Sequence, residues 1–536
     1  MSNEIRISKR AKKAVATDGS SLAWEGVLFI PHFAEGETSA AEFLRLVVEI
    51  GLEKATRVLK GLFFAVYENP RGERFAFVDN CGYFYAYRSE NLVSADFVDF
   101  LDSGKFGISD IDLAGITDLL REGLLFFDRT PIEGVTRIAA DSIISEKPVS
   151  SGFSTISKGL IDIFTPDDDV RPPDEIIAES LESFRGRKIA IDLSGGLDTR
   201  LTLAFCLARE IPFTAFSHGV PGHPDIEIPK RLAEVGGFEY RPVFVEPNDL
   251  PDDLDGMLSK MDYLHNTISF YDNYKMNLDL LRDGFDLRVQ SGSAVMLRDF
   301  WMFSDWPFCK RWKPNFARLY SIRMKSKSYP GMFKNTHIEN LDRTFDDDIV
   351  RALERRYSRS PARLANEACA FHYRHRAGGG RVMTFGNRQI PTFPLFCDYE
   401  LIHSAANMRY SDKRMHRFFR EHVSSASPAL ARIKTDRGQS FRDGKAAIMA
   451  DKIALLFDLG GRLYRKIRYR VTGKPMSQPL THADMSKAIR ALFQFPPDLK
   501  ILQKAGFINP SLSPDEIPTG KIGNIIAAAE IVKKLA

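Results

Sequence analysis

The sequence predicts an α/β protein of two layered parts, an α+β unit rich in short strands followed by a unit built on a parallel sheet. Three observations carry this. Residues 22–150 hold short β-rich runs, LAWEGVLFI, GLFFAVYE, RFAFVDN and YFYAYR, divided by turn signals such as Asn69-Pro70-Arg71-Gly72. From residue 188 onward apolar runs alternate with helical spacings, as a parallel sheet with crossover helices requires. Between the two lies Thr165-Pro-Asp-Asp-Asp-Val-Arg-Pro-Pro173, charged and proline-rich, which reads as a linker.

In chain order, residues 1–20 read as a polar, mobile arm. Residues 21–164 form the α+β unit, with helical stretches near 39–60 and 110–123. The unit over 165–445 opens on Lys188-Ile-Ala-Ile-Asp-Leu-Ser-Gly-Gly-Leu-Asp-Thr-Arg-Leu201, where Ile189, Ala190, Ile191 and Leu193 make a buried strand. A glycine turn follows, and Leu197, Leu201, Ala204, Phe205 and Ala208 continue at helical spacing. Phe213 to His218 reads as the next strand. Asp225 to Val235 follows as a helix with Ile228, Leu232 and Val235 on one face, and Tyr240 to Val245 as a third strand. The aromatic and basic residues of 301–375, Trp301, Trp306, Trp312 and Lys310-Arg311 among them, fit a solvated helical surface with aromatic anchors better than a nucleic-acid surface. Residues 446–536 read as a basic helical extension. Its segment from Arg462 to Lys474 fits a solvated helix face better than a membrane-surface contact.

Composition narrows the function classes. At 536 residues there is room for two or three domains, and a formal charge of +4 gives no argument for nucleic acid as a partner. Cys81, Cys206, Cys309, Cys369 and Cys397 are scattered without a CxxC pair, which fits a reducing compartment and no zinc site. No run of eighteen apolar residues occurs, so no stable membrane insertion is expected, and the expected location is the cytoplasm.

The chemistry concentrates at Ser194-Gly195-Gly196. A strand, a glycine turn and a helix in line point backbone N–H groups and the positive end of a helix at whatever lies above the turn, and a phosphate suits that place. Ser194 adds a hydroxyl donor, the glycines permit close approach, and Asp198 can reach a magnesium ion bridging phosphates.

The full string SGGLDT is similar to the SGGxDS signature of the ATP pyrophosphatases, with Thr199 in place of serine; no GK[ST] of a Walker A loop is present. Upstream, Gly61 to Tyr67, Phe75 to Asp79, Gly82, Tyr85 to Tyr87 and Thr130 to Ile138 resemble the glutamine-amidotransferase half of asparagine synthetase. The chain thus resembles the asparagine synthetase family over roughly residues 22–445. That resemblance implies an Ntn-hydrolase-like α+β sandwich, then an ATP-pyrophosphatase (PP-loop) doubly wound parallel sheet with additional C-terminal helices. It implies ATP and Mg2+ as cofactors, with Leu193, Ser194, Gly195, Gly196, Leu197, Asp198, Thr199, Ser217, Ser291 and Gly292 around the nucleotide. Asp225 stands at the family's helix start, for which a helix N-cap is an equal reading.

The departures matter as well. The family's nucleophile is a cysteine at the mature N-terminus; here Met1-Ser2-Asn3 stands and no cysteine precedes Cys81, so glutaminase activity is expected to be absent, as in β-lactam synthetase and the lasso-peptide cyclases. In the stretch similar to SGEGxDE, Met296 and Leu297 replace the acidic pair. Asp299 either completes a metal site with Asp198 after a loop shift or is a surface residue. Arg388, Pro394 and Asp398 match the ExRxPFLD segment, with Asn387 for its glutamate. Tyr410 to Arg420 resembles the KYxLR helix, with His416 in place of the lysine that contacts pyrophosphate. Arg420 holds the motif's final position, and Lys413, Arg414 and Arg417 lie within about a helical turn of His416 and would take over that charge, which makes Lys413, Arg417 and Arg420 the expected catalytic cations. Lys434 to Ser440 matches the family's tail.

These readings imply a ligase that adenylates a small-molecule or peptide carboxylate, releases pyrophosphate and passes the acyl group to an intramolecular amine or free ammonia. The alternatives are a lasso-peptide-type macrocyclase of the same chemistry or a degenerate binding protein that kept the fold. A homodimer is compatible with either.

Overall fold

The computed structural model describes residues 3–146, 152–244, 254–292, 294–299, 315–325, 329, 331–360, 362–472 and 495–536. Trp301, Trp306, Trp312, Lys310, Arg311 and Lys474 lie outside the described residues. The strands are β1 (Glu4–Arg6), β2 (Lys12–Val15), β3 (Ser21–Phe29), β4 (Lys60–Glu68), β5 (Arg74–Val78), β6 (Tyr87–Arg88), β7 (Leu92–Ser94), β8 (Thr136–Arg137), β9 (Ser142–Glu146) and β10 (Phe153–Ser157) in the first half. The second half holds β11 (Ile189–Asp192), β12 (Thr214–Gly219), β13 (Tyr240–Phe244), β14 (Leu287–Gln290) and β15 (Thr392–Pro394). The architecture is mixed α/β, with parallel and antiparallel sheets.

The first half carries a six-stranded antiparallel sheet in the order β10-β9-β5-β4-β3-β2 and a four-stranded sheet in the order β1-β7-β6-β8. Period-two alternation sorts the side chains of the larger sheet into two cores. Trp24 and Leu28 of β3 with Phe63 and Ala65 of β4 pack under the helix Glu37–Ile50. Val27, Phe29, Leu62 and Phe64 face the other way, into a core shared with Ile5 and Val93 of the smaller sheet. Gly61 stands at φ 122°, and a Cβ there would lie 2.1 Å from the Val27 carbonyl oxygen, so the close β3–β4 approach demands glycine.

Residues 3–20 are not a mobile arm. β1 pairs in parallel with β7, β2 pairs antiparallel with β3, and Arg74 donates to the Ile5 carbonyl at 2.8 Å. The signal is absent from the local sequence because the partners of β1 lie some ninety residues downstream. The linker is equally tied down: His403 Nδ1 lies 2.8 Å from the Ile163 carbonyl and its Nε2 lies 3.2 Å from Asp167 Oδ2.

The second half is a five-stranded, wholly parallel sheet in the order β13-β12-β11-β14-β15. From β11 the chain steps outward through the helix Asp198–Ala208 to β12 and the helix Pro224–Gly236 to β13, then crosses back to β14 on the other side. The strand order therefore reverses between β11 and β14. In open parallel sheets the crevice outside the strand carboxyl ends at such a reversal is where ligands bind. Phe29, Phe184 and Phe393 join the halves in a ring cluster with centroids 5.1 to 5.5 Å apart. Arg388 reaches across as well, to the Ala95 carbonyl at 2.8 Å and Asp96 at 3.0 Å, and is paired within its own half with buried Asp262, whose carboxyl is pushed up to about 6 by burial against the pull of the guanidinium.

The extension expected over 446–536 is two things. The helix Lys445–Thr472 has Leu456, Phe457 and Val471 exposed. The helix Thr519–Leu535 is buried on nearly all sides, with Ile522, Ile525 and Ile531 fully covered, and Asn524 donates to the Leu120 carbonyl. A helix apolar around most of its circumference belongs inside a protein, and this one completes the core beside the helix Leu113–Glu122. No helix among the described residues is long and apolar enough to cross a membrane.

Candidate functional site

A cavity of about 640 Å³ opens at the reversal point. Its floor is the turn after β11 and the start of the helix Asp198–Ala208; its walls come from the end of β14, from residues 375–383 and from the turn 435–439. The helix begins after Leu197, which offers no side-chain cap, so its first N–H groups end at the cavity floor uncapped.

The turn is held by its own side chains. Thr199 Oγ1 accepts the Ser194 N–H at 3.1 Å, Ser194 Oγ accepts the Gly196 N–H at 3.2 Å, and Asp225 Oδ1 accepts the Gly195 N–H at 3.0 Å. A Cβ at Gly195 would sit 3.0 Å from Ile228 Cδ1 and 3.1 Å from the Pro224 carbonyl oxygen, so a side chain here would push on the seat of the helix Pro224–Gly236. Asp225 therefore reaches back to the loop; the N-cap of its own helix is His223, whose ring nitrogen accepts the Asp225 N–H.

Of the residues expected around a nucleotide, Ser194, Gly196, Leu197, Asp198, Thr199, Ser291 and Gly292 line the cavity. Leu193, Gly195 and Ser217 are not among its lining residues. The Leu193 N–H is spent on the Phe216 carbonyl at 2.7 Å, and the Ser217 hydroxyl is bonded to Tyr240 Oη.

The structure does not bring Lys413, Arg417 and Arg420 to the cavity. The expected helix over 410–420 breaks: Tyr410–Lys413 ends, Met415 and His416 take left-handed backbone at φ 55° and 59°, and a new helix runs Arg417–Ala426. Neighbours along a continuous helix are thereby turned apart. Lys413 is fully buried against Glu367 at 2.7 Å, Arg420 is buried on Asp451 at 2.7 Å, and Arg417 is exposed on Glu421.

Asp299 is neither a surface residue nor a cavity-lining one. It is 1% exposed, its Oδ2 accepts the Met415 N–H at 3.2 Å, and its Oδ1 lies 3.5 Å from His416 Nδ1. Burial holds its carboxyl above the usual range. Asp198 is engaged elsewhere, with its Oδ1 3.0 Å from Arg298 Nε. Asp192, at the end of β11, is held by both arms of Arg288 at 2.8 Å each. Among the described residues no group of three or more His, Cys, Asp or Glu is arranged to hold a metal ion. As arranged, the donors do not fit a magnesium ion held between Asp198 and Asp299.

Residues absent from the expected set complete the cavity. Arg298 and Arg437 supply its cations. The turn bearing Arg437 lies on the loop: the Asp436 N–H donates to the Gly195 carbonyl at 3.2 Å, and buried Arg200 donates to the carbonyls of Ile433 and Lys434. Asp436 is exposed at the cavity's edge, and partial desolvation holds its carboxyl above the usual range, with Arg437 opposing the shift and Asp225 adding to it. His265 is pushed down to about 3 by burial and by Arg381, so it stands neutral. His375, Gly378 and Gly379 come from the π-helix Ala370–Gly380. Its widened turns leave the carbonyls of Arg376 and Ala377 to Tyr85 Oη at 3.1 and 3.3 Å. A Cβ at Gly380 would meet the Tyr83 carbonyl oxygen at 2.8 Å, which admits no side chain. The signal for Arg437 was its place beside Thr435-Asp436 in a motif already singled out; Arg298 had none beyond following Leu297.

No protein-family model matches the chain, and no curated protein matches it.

Proposed function

We propose that the protein is an ATP-dependent carbon–nitrogen ligase that adenylates a carboxylate, with an Ntn-hydrolase-like first half and a second half of the ATP-pyrophosphatase type. One observation carries the reading: an uncapped helix start and a serine–glycine turn form the floor of a cavity at the reversal point of a parallel sheet.

In this reading a substrate carboxylate oxygen attacks the α phosphorus of ATP, the bond from that phosphorus to the α,β-bridging oxygen breaks, and pyrophosphate leaves. An amine nitrogen then attacks the acyl carbon and AMP departs. The chain's task is positioning and charge. Ser194 Oγ and the first turn of the helix receive the departing phosphates, with Arg298 and Arg437 among the residues that line the cavity. Asp436, which lines the same cavity, would take the amine's proton. No step passes through a metal ion. Cys81 does not stand in for a missing nucleophile: it is 3% exposed and burial pushes its thiol well up, which supports an amine other than one released from glutamine.

The test is ATP–pyrophosphate exchange with purified protein and pools of amino acids, peptides and sugar acids. Exchange that depends on one pool is the expected result. No exchange in any pool together with no ATP binding refutes the reading. A non-catalytic binding protein is the second reading, favoured by the Asp198–Arg298 pair, and ATP binding without exchange would select it.

A further inference from the structure

The carboxylate at the head of the helix Asp198–Ala208 already has its cation. Arg298 leaves the short 3-10 turn Ala294–Leu297 that follows β14, and its side chain is only 9% exposed. Buried Met296 and Leu297 anchor that turn in the core, so the guanidinium is delivered to the cavity wall from a fixed base. Its Nε sits 3.0 Å from Asp198 Oδ1. The neighbouring carboxylate, Asp192, is gripped in the same way by Arg288, and the one carboxylate that follows Arg298 in sequence, Asp299, is buried against the Met415 N–H. The β11 side of the reversal point thus presents two carboxylates, each matched by an arginine from the β14 side.

We infer that Arg298 is the resident cation of this cavity, and that a nucleotide binds there through its guanidinium without needing a divalent ion. The inference rests on the nucleotide reading above. A guanidinium presents several N–H donors in a rigid planar fork suited to phosphoryl oxygens, and it does not titrate. An incoming phosphate competes with Asp198 for that fork, and Arg437 is a second arginine lining the same cavity. A divalent ion seated on Asp198 would have to displace a largely buried arginine and then remain beside it, two like charges in a partly desolvated wall.

The opposing roles of Asp198 make the inference testable by sign. Calorimetric titration of the full chain with ATP is run in excess EDTA and in excess magnesium. The expected result is a Kd that differs by less than about tenfold between the two. Asp198→Asn, which removes a competitor for the guanidinium, tightens binding in EDTA, and Arg298→Gln weakens it by about tenfold or more. Should Arg298→Gln fail to fold, the sign for Asp198→Asn still decides. Binding that vanishes in EDTA, returns with magnesium and is abolished there by Asp198→Asn overturns the inference and leaves the nucleotide reading standing. No ATP binding under either condition overturns both.

Discussion

Lys413 was placed by its sequence context among the charges that would meet pyrophosphate, and the structure gives it a different task with a measurable size. Its side chain is fully buried and its Nζ lies 2.7 Å from Glu367 Oε1, itself nearly buried. Burial holds the ammonium below its ordinary range in spite of the carboxylate beside it. Breaking such a pair from one side leaves an uncompensated buried charge, which costs about 3–5 kcal/mol. Arg363 Nε stands 3.9 Å from the same Glu367 oxygen and offers a partial replacement. The lower end, about 3 kcal/mol, is therefore expected for Lys413→Met. Urea unfolding of the wild type, Lys413→Met, Glu367→Leu and the double variant forms a double-mutant cycle. The double variant should recover most of the loss, because two apolar side chains of similar volume need no partner, and ATP binding by Lys413→Met should stay within about threefold of wild type. A Lys413→Met protein as stable as wild type but unable to bind ATP would refute this reasoning and return Lys413 to the site.

Two further outcomes are expected. Asp118 is fully buried, 3.4 Å from Arg129, and burial pushes its carboxyl up to about 7. The folded state holds that proton more tightly than the unfolded chain, so the contribution is full below about pH 4 and is lost as pH rises through about 7. Relative to Asp118→Asn the wild type should lose stability across that window; parallel pH profiles of the two proteins would show the charge to be otherwise settled. Ile525→Ala, at a fully covered position of the helix Thr519–Leu535, should cost about 2–5 kcal/mol in the same unfolding assay, and a change below about 0.5 kcal/mol would mean that the helix does not dock in solution.

What could be read from the sequence follows the range of the forces involved. The strand Ile189–Asp192, its glycine turn and the helix after it are written locally, in an apolar run, two glycines and a helical spacing, and the alternation of β3 and β4 is equally local. The pairing of β1 with β7 and the docking of the helix Thr519–Leu535 on the helix Leu113–Glu122 depend on partners far away in the chain, so polar flanks near each end concealed them. The break at Met415 and His416 had no proline or glycine to announce it. Left-handed backbone at two such residues is costly, and here the Asp299 carboxylate holds the Met415 N–H from across the fold.

Arg298 stands in the stretch after β14 where the motif has its second carboxylate. Met296 and Leu297 precede it and Asp299 follows. The residue between them carries the opposite charge. A site that pairs one carboxylate with one guanidinium reaches the same local neutrality as two carboxylates with a divalent ion, by a route that holds the cation in the chain and spares the cost of assembling it from solution. Under the proposed nucleotide reading, such a substitution leaves the serine–glycine turn unchanged while altering what must be present before a phosphate can bind. Motif matching at Ser194–Thr199 is blind to that difference, since the turn and helix are the same in either arrangement. It becomes visible only when the partner of Asp198 is identified in three dimensions.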